Sequence, residues 1–185
     1  MKVLAPLASK EQLIAYTRGA VSETDPRVDA VLEAVSAGVR AYCGWHIAPV
    51  ITETVVLDSD GATVLVLPSL HVIGVDEVKV NGKPLDADKF EWSGSGELRR
   101  GYGWPNRWRS VEVTFEHGFD QALAVGQIVL QVAAGALASP MGAVSERAGQ
   151  VQIQHSATAP GVAGGMSFLE RDLQILAGYR LPGLS

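Results

Sequence analysis

The sequence predicts an α+β fold: a small helical core of about four helices, with an antiparallel β-rich insertion between the second and third. Three observations carry this reading. Apolar residues recur at helical spacing before residue 49 and again after residue 120. Between these stretches the period becomes strand-like, with turn dipeptides separating short β-rich runs. The chain has 185 residues, 47% hydrophobic and 19% charged, enough to bury a sizeable core and too apolar for wholesale disorder. The expected division is a helical core from residues 1–49 and 119–185, with the β-rich insertion at residues 50–118.

The elements follow in order. Ser9 and Gln12 have the spacing of a capping box, which opens a short helix closed near Gly19. Asp25-Pro26 is a second start signal, because Asp accepts the first free N–H groups and Pro is preorganised for the first turn. Val28, Val31, Leu32, Val35 and Val39 then form one apolar stripe, continued by Tyr42 and ended by Gly44. Residues 52–57 and 63–67 are β-rich runs, and Asp58-Ser59-Asp60-Gly61 between them predicts a hairpin. Residues 75–80 alternate and lead into Asn81-Gly82, a two-residue turn signal. Short strands are expected at residues 90–92, 97–100 and 111–115.

A slim helix rich in Ala and Gly should span residues 121–138, stopped by Ser139-Pro140. Residues 144–155 suit one strand or a hairpin around Gly149, and residues 156–165 read as a loop of small residues. Ser167 and Glu170 suggest another capping box, opening a helix with Leu169, Leu173 and Leu176 inward.

Composition excludes several function classes. Residues 1–6 lack the apolar core of a signal peptide, and no apolar run approaches the length of a membrane span. A soluble protein made in a cytoplasm is expected. The single cysteine, Cys43, forms no internal disulfide and rules out a multi-cysteine zinc site. The net charge of -5, from 15 basic and 20 acidic residues, argues against a dedicated duplex-DNA binder.

No residues are singled out as catalytic, cofactor-binding or metal-binding. His46, His71, His117 and His155 lack metal-ligand spacing, and His46 beside Cys43 says nothing about geometry. Asp58 with Asp60, and Asp86 with Asp88, are more simply turn-forming carboxylates than a calcium loop. Gly94, Gly96, Gly101 and Gly103 do not lead from a strand into a helix as a dinucleotide loop must, and no Gly-x-Ser-x-Gly elbow is present.

The densest feature runs from Trp92 to Arg109. Trp92, Tyr102, Trp104 and Trp108 alternate with Arg99, Arg100, Arg107 and Arg109. Three readings stay open: a nucleic-acid stacking surface, a protein interface, or a local core with Arg on Trp faces. Trp104, Arg107, Trp108 and Arg109 are candidate interface residues, together with Phe168, Leu169 and Tyr179.

The chain also resembles the head–tail connector, or adaptor, proteins of long-tailed bacteriophages, especially those of actinobacterial hosts. The resemblance rests on an ordered series: Ala41-Tyr42-Cys43-Gly44-Trp45-His46-Ile47, then Val64-Leu65-Val66-Leu67-Pro68-Ser69-Leu70-His71-Val72. Phe90-Glu91-Trp92, Leu98-Arg99-Arg100, Trp104-Pro105 and Val113-Thr114-Phe115-Glu116-His117-Gly118-Phe119 follow. Ala138-Ser139-Pro140 and Tyr179-Arg180-Leu181-Pro182 complete it.

It implies a non-enzymatic virion protein of the neck, assembled in the bacterial host cytoplasm as a ring of twelve copies. It further implies docking between the portal protein and a tail-side head-closure or stopper protein. DNA would pass through the channel without specific binding, and no membrane, metal or cofactor is implied. Glu146, Gln150, Gln152 and Gln154 are candidate lumen residues, since a polar, non-basic wall would not grip phosphates. Two rival classes stand beside this one: a small hydrolase using His46 or His117, and a ligand-binding β-module.

Overall fold

A computed structural model describes residues 4–138, 145–148, 151–154 and 167–183. The chain divides into two compact units, one from Met1–Cys43 with Ala122–Gly178, the other from Gly44–Gln121 with Tyr179–Ser185.

The first unit is helical. Its helices are α1 (Lys10–Tyr16), α2 (Val28–Cys43), α3 (Leu123–Ala138) and α4 (Glu170–Ala177). α1 starts as its sequence dictates: Ser9 Oγ accepts from Gln12 N–H, and the Gln12 side chain returns the bond to Ser9 N–H. α2 starts at Val28, with Asp25 accepting from the Arg27 backbone at 2.9 Å. Val28, Leu32, Val35 and Val39 are buried along its inner stripe, as is Ser36, whose hydroxyl accepts from Leu7 N–H at 2.9 Å. α3 carries no charged residue and buries Val125, Ile128, Val129, Leu130 and Val132. A helix apolar on nearly all sides must be covered on nearly all sides.

α4 corrects two expectations. Ser167 is not its cap; Asp172 reaches back to accept from Leu169 N–H at 3.0 Å, so the helix begins two residues later. That shift turns Leu169 outward, and of the three expected inward leucines only Leu176 is fully buried. Asp172 is itself buried, with Gln131 Nε2 at 3.4 Å. Asp172→Ala should leave the Leu169 N–H and Gln131 without their acceptor and cost about 1–3 kcal/mol by urea denaturation. Strands β8 (Ser145–Ala148) and β9 (Val151–Gln154) pair antiparallel as a hairpin in this unit.

The second unit holds the remaining strands: β1 (Ile51–Asp60), β2 (Val64–Val66), β3 (Val72–Val80), β4 (Lys83–Pro84), β5 (Glu91–Trp92), β6 (Glu97–Arg99) and β7 (Asn106–His117). They form an antiparallel four-stranded sheet of order β1-β7-β3-β4 and a three-stranded sheet of order β2-β6-β5. Asn81 and Gly82 both have left-handed φ, 51° and 77°, as a two-residue turn between β3 and β4 requires. The core between these strands contains Leu67, Val78, Leu98, Val113 and Phe115.

The hairpin expected at Asp58–Gly61 does not form. β1 pairs with β7 (Thr54 opposite Thr114), and β2 pairs with β6 (Leu65 opposite Leu98). β1 continues through Asp60, and the chain then crosses to the other sheet. Gly61 makes the crossing possible with φ 90°, and Gly103 passes so close that a Cβ there would lie 2.8 Å from Gly61 O. Trp104 N–H to Ala62 O, at 2.9 Å, locks the crossing.

Candidate interface site

The Trp/Arg segment sits on a bulge in the four-stranded sheet. Leu57 lies opposite Val111 and Ser59 opposite Arg107, so Asp58 alone faces Trp108, Arg109 and Ser110. Arg109 takes a left-handed φ of 53°, which costs a side-chain-bearing residue roughly 1–2 kcal/mol. Two bonds hold it. Asp58 Oδ1 accepts from Arg109 N–H at 2.7 Å, and Ser110 Oγ donates to Arg107 O at 2.8 Å. Asp58 therefore acts as the brace of a strained projection. Asp60 does the turn chemistry expected of it, accepting from Ala62 N–H at 3.0 Å. Asp58→Ala should cost about 1–2 kcal/mol in urea denaturation, and Arg109→Gly in the same chain should recover part of it by removing the strain.

The bulge divides the predicted cluster. Trp104 is 3% exposed and belongs to the β core. Its indole N–H donates to Leu98 O at 3.3 Å, and the Arg100 guanidinium lies 5.8 Å from its ring centre. For this residue the local-core reading holds. Trp108 is 82% exposed and Tyr102 is 99% exposed. Arg107 and Arg109 are exposed beside Trp108 and form no ion pair among the described residues. With Asp58, Asp60, Val64 and Val66, Trp108 lines an open groove of about 350 Å³.

The other candidates are dispersed. Phe168 is half-buried, close enough to Gly38 that a methyl there would stand 3.6 Å from its ring. Leu169 is exposed. Tyr179 accepts the Trp45 indole N–H on its carbonyl at 2.6 Å, and its ring meets Phe119 edge-on at 5.9 Å. Glu146 lies on β8; Gln152 and Gln154 lie on β9, opposite Arg147 and Ser145. Gln150 and the predicted loop at residues 156–165 fall outside the described residues.

Two of the four histidines, His46 and His117, meet, which their spacing gave no hint of. The His46 and His117 rings are 4.3 Å apart, His117 lies 4.2 Å from Phe115, and His71 stacks on Phe119 at 4.4 Å. His46 Nε2 donates to Pro49 O at 2.8 Å. Gly118, with φ 106°, leaves the room this needs: a Cβ there would come within 2.5 Å of His46 Nε2. His117 is fully buried, and burial pushes its imidazole down to about 4. Its Nε2 lies 2.9 Å from Glu53 Oε1, yet neither ring nitrogen makes a well-directed hydrogen bond among the described residues. A general base needs a proton to abstract and a place for substrate. His117 is instead walled in by aromatic rings, and His46 is committed to a backbone carbonyl. Among the described residues no group of His, Cys, Asp and Glu is arranged to hold a metal ion, and no helix is long and apolar enough to cross a membrane.

The comparisons with known proteins agree with an assembly part. In fold, the chain is similar to a protein in the neck of an empty GTA (gene transfer agent) particle computed with C6 symmetry. The TM-score is 0.61 and the identity 14%, over 100% of this chain and 95% of that one. A protein in the neck of a native GTA particle computed with C12 symmetry gives a TM-score of 0.55 at 15% identity, over 93% of this chain and 90% of the other. No curated protein matches the chain. The model of the head completion protein family matches residues 6–134, through α1, α2, both sheets and most of α3. The chain therefore belongs to the head completion protein family, and it is a structural head–tail adaptor rather than an enzyme.

Proposed function

We propose that the protein forms a closed ring at the neck of a phage-like particle, between the portal and a tail-side stopper or head-closure protein, with a channel through which DNA passes. The observation that carries this is the family match across residues 6–134. The likeness in fold to proteins of sixfold and twelvefold necks supports the ring and favours twelve copies. Closed rings use heterologous contacts, in which each copy offers two different faces. The exposed Trp108 with Arg107 and Arg109 suits one such face, because Trp and Arg dominate interface hot spots. In this reading residues 1–49 and 119–185 form the adaptor core, and residues 50–118 supply an insertion that enlarges the subunit contact. Glu146, Gln150, Gln152 and Gln154 are proposed for the channel wall.

α4 is proposed to face the portal, though not as a detachable arm. Leu176 and Asp172 are buried within the helical unit, so deleting residues 167–185 would strip its core. The test must use outward residues. Leu169→Glu with Ile175→Glu, at two exposed positions, should leave the melting temperature within a few degrees of the parent. Attachment to purified portal, scored by electron microscopy of the mixed complex, should be lost. Attachment at parental level would remove α4 from the portal face, and a parent chain that never forms rings on the portal would overturn the adaptor reading itself.

A further inference from the structure

We infer that the bulge at Arg107-Trp108-Arg109 of one copy seats in a groove on the opposite edge of the β unit of the next copy. The inference rests on the ring reading above and names the two faces of its contact. The two sheets give the unit two lateral sides. β1 and β2 are edge strands on one side, where the groove beside Trp108 is lined by residues of both. β4 and β5 are the other edges, joined directly by residues 85–90. On that second side lies a groove of about 290 Å³ lined by Asp88, Lys89, Phe90, Glu91, Arg99 and Gly101. An exposed indole beside one edge and a recess on the other are what a head-to-tail contact needs, since copies so joined present different edges to one another.

Charge selects a second copy as the occupant. The bulge itself carries two arginines, Arg107 and Arg109, on a chain whose net charge is -5, whereas Arg99 lines the receiving groove opposite Glu91. Asp58 and Asp60 temper the bulge, but each is occupied by a backbone N–H. Around the receiving groove, Lys89 is already paired with Asp88 at 2.9 Å, which leaves Asp86 and Glu91 exposed and outside any ion pair among the described residues. They are the carboxylates available to Arg107 and Arg109. The strained Arg109 backbone is held by Asp58 and Ser110, and strain of that kind clusters where a projecting group must be kept in place.

The 185-residue chain tests this by native mass spectrometry, over a range of concentrations and with portal added. Arg107→Glu with Arg109→Glu should weaken self-association at least tenfold at unchanged circular dichroism, and adding Asp86→Lys with Glu91→Arg should restore it. If the reversed chain unfolds, a cysteine pair decides. Trp108→Cys with Glu91→Cys should give an oxidant-dependent ladder beyond the dimer, whereas either single cysteine stops at dimers. Assembly unaffected by charge reversal, with no ladder, overturns the contact while leaving the ring reading intact. A parent chain that stays monomeric at every concentration and on the portal overturns both. Salt-dependent duplex binding by the parent, lost on reversal, makes the bulge a nucleic-acid site and overturns the contact as well.

Discussion

Trp104→Ala should destabilise the β unit by about 3–5 kcal/mol, while Trp108→Ala, four residues away, should change its stability by less than about 0.5 kcal/mol. The contrast follows from burial. Trp104 is 3% exposed, and its removal empties a volume bounded by the β core. It also leaves Leu98 O without its indole donor and Arg100 without the ring beneath it. The site has little freedom to collapse, because Trp104 N–H and the Gly61–Gly103 approach pin the backbone on both sides. Trp108 is 82% exposed and fills no such volume. Its loss should appear in assembly alone. Urea denaturation followed by tryptophan fluorescence measures both effects, because all four tryptophans lie between residues 44 and 121. Equal stability losses for the two variants would mean that Trp108 is packed, and would remove it from any contact face.

The fold was legible where its causes are local. The α1 capping box, the Asn81-Gly82 turn and the apolar stripe of α2 each rest on residues within a few positions of one another, and each appears as read. The Asp58–Gly61 hairpin failed for the complementary reason. The partner that claims β1 is β7, and Asp58 spends its carboxylate on Arg109, 51 positions on. No window of sequence contains both. Ser167 lost its capping role to a similar competition, because Asp172 serves the helix start when the helix begins two residues later. In the candidate site, the sequence treats Trp104 and Trp108 alike, whereas one is buried and the other exposed. The bulge separates them, and a bulge leaves no signature in composition. The meeting of His46 and His117 was likewise invisible, since their chain separation carries no periodicity.

That meeting predicts a stability profile in pH. The unfolded chain holds His117 near its ordinary value of 6.5, and burial in the folded unit lowers it to about 4. The folded state therefore takes up the proton less readily than the unfolded one. Its stability is fully present above about pH 6.5, falls as pH drops between 6.5 and 4, and falls no further from this cause below 4. Each pH unit in that window is worth about 1.4 kcal/mol, so the whole effect approaches about 3 kcal/mol. About 2 kcal/mol of it should be gone by pH 5, before most carboxylates titrate. The Glu53 carboxylate, 2.9 Å from Nε2, is placed to receive a charged ring, but its hydrogen-bond geometry is poor. Desolvation therefore outweighs it. His117→Leu keeps an apolar side chain against Phe115 and the His46 ring and has no proton to gain. Its denaturation midpoint, followed by tryptophan fluorescence, should be nearly flat between pH 7 and pH 5 while that of the parent drops. Parallel declines in the two chains would show that His117 is not the titrating group. A parent more stable at pH 5 than at pH 7 would show instead that a His117–Glu53 ion pair overcomes burial.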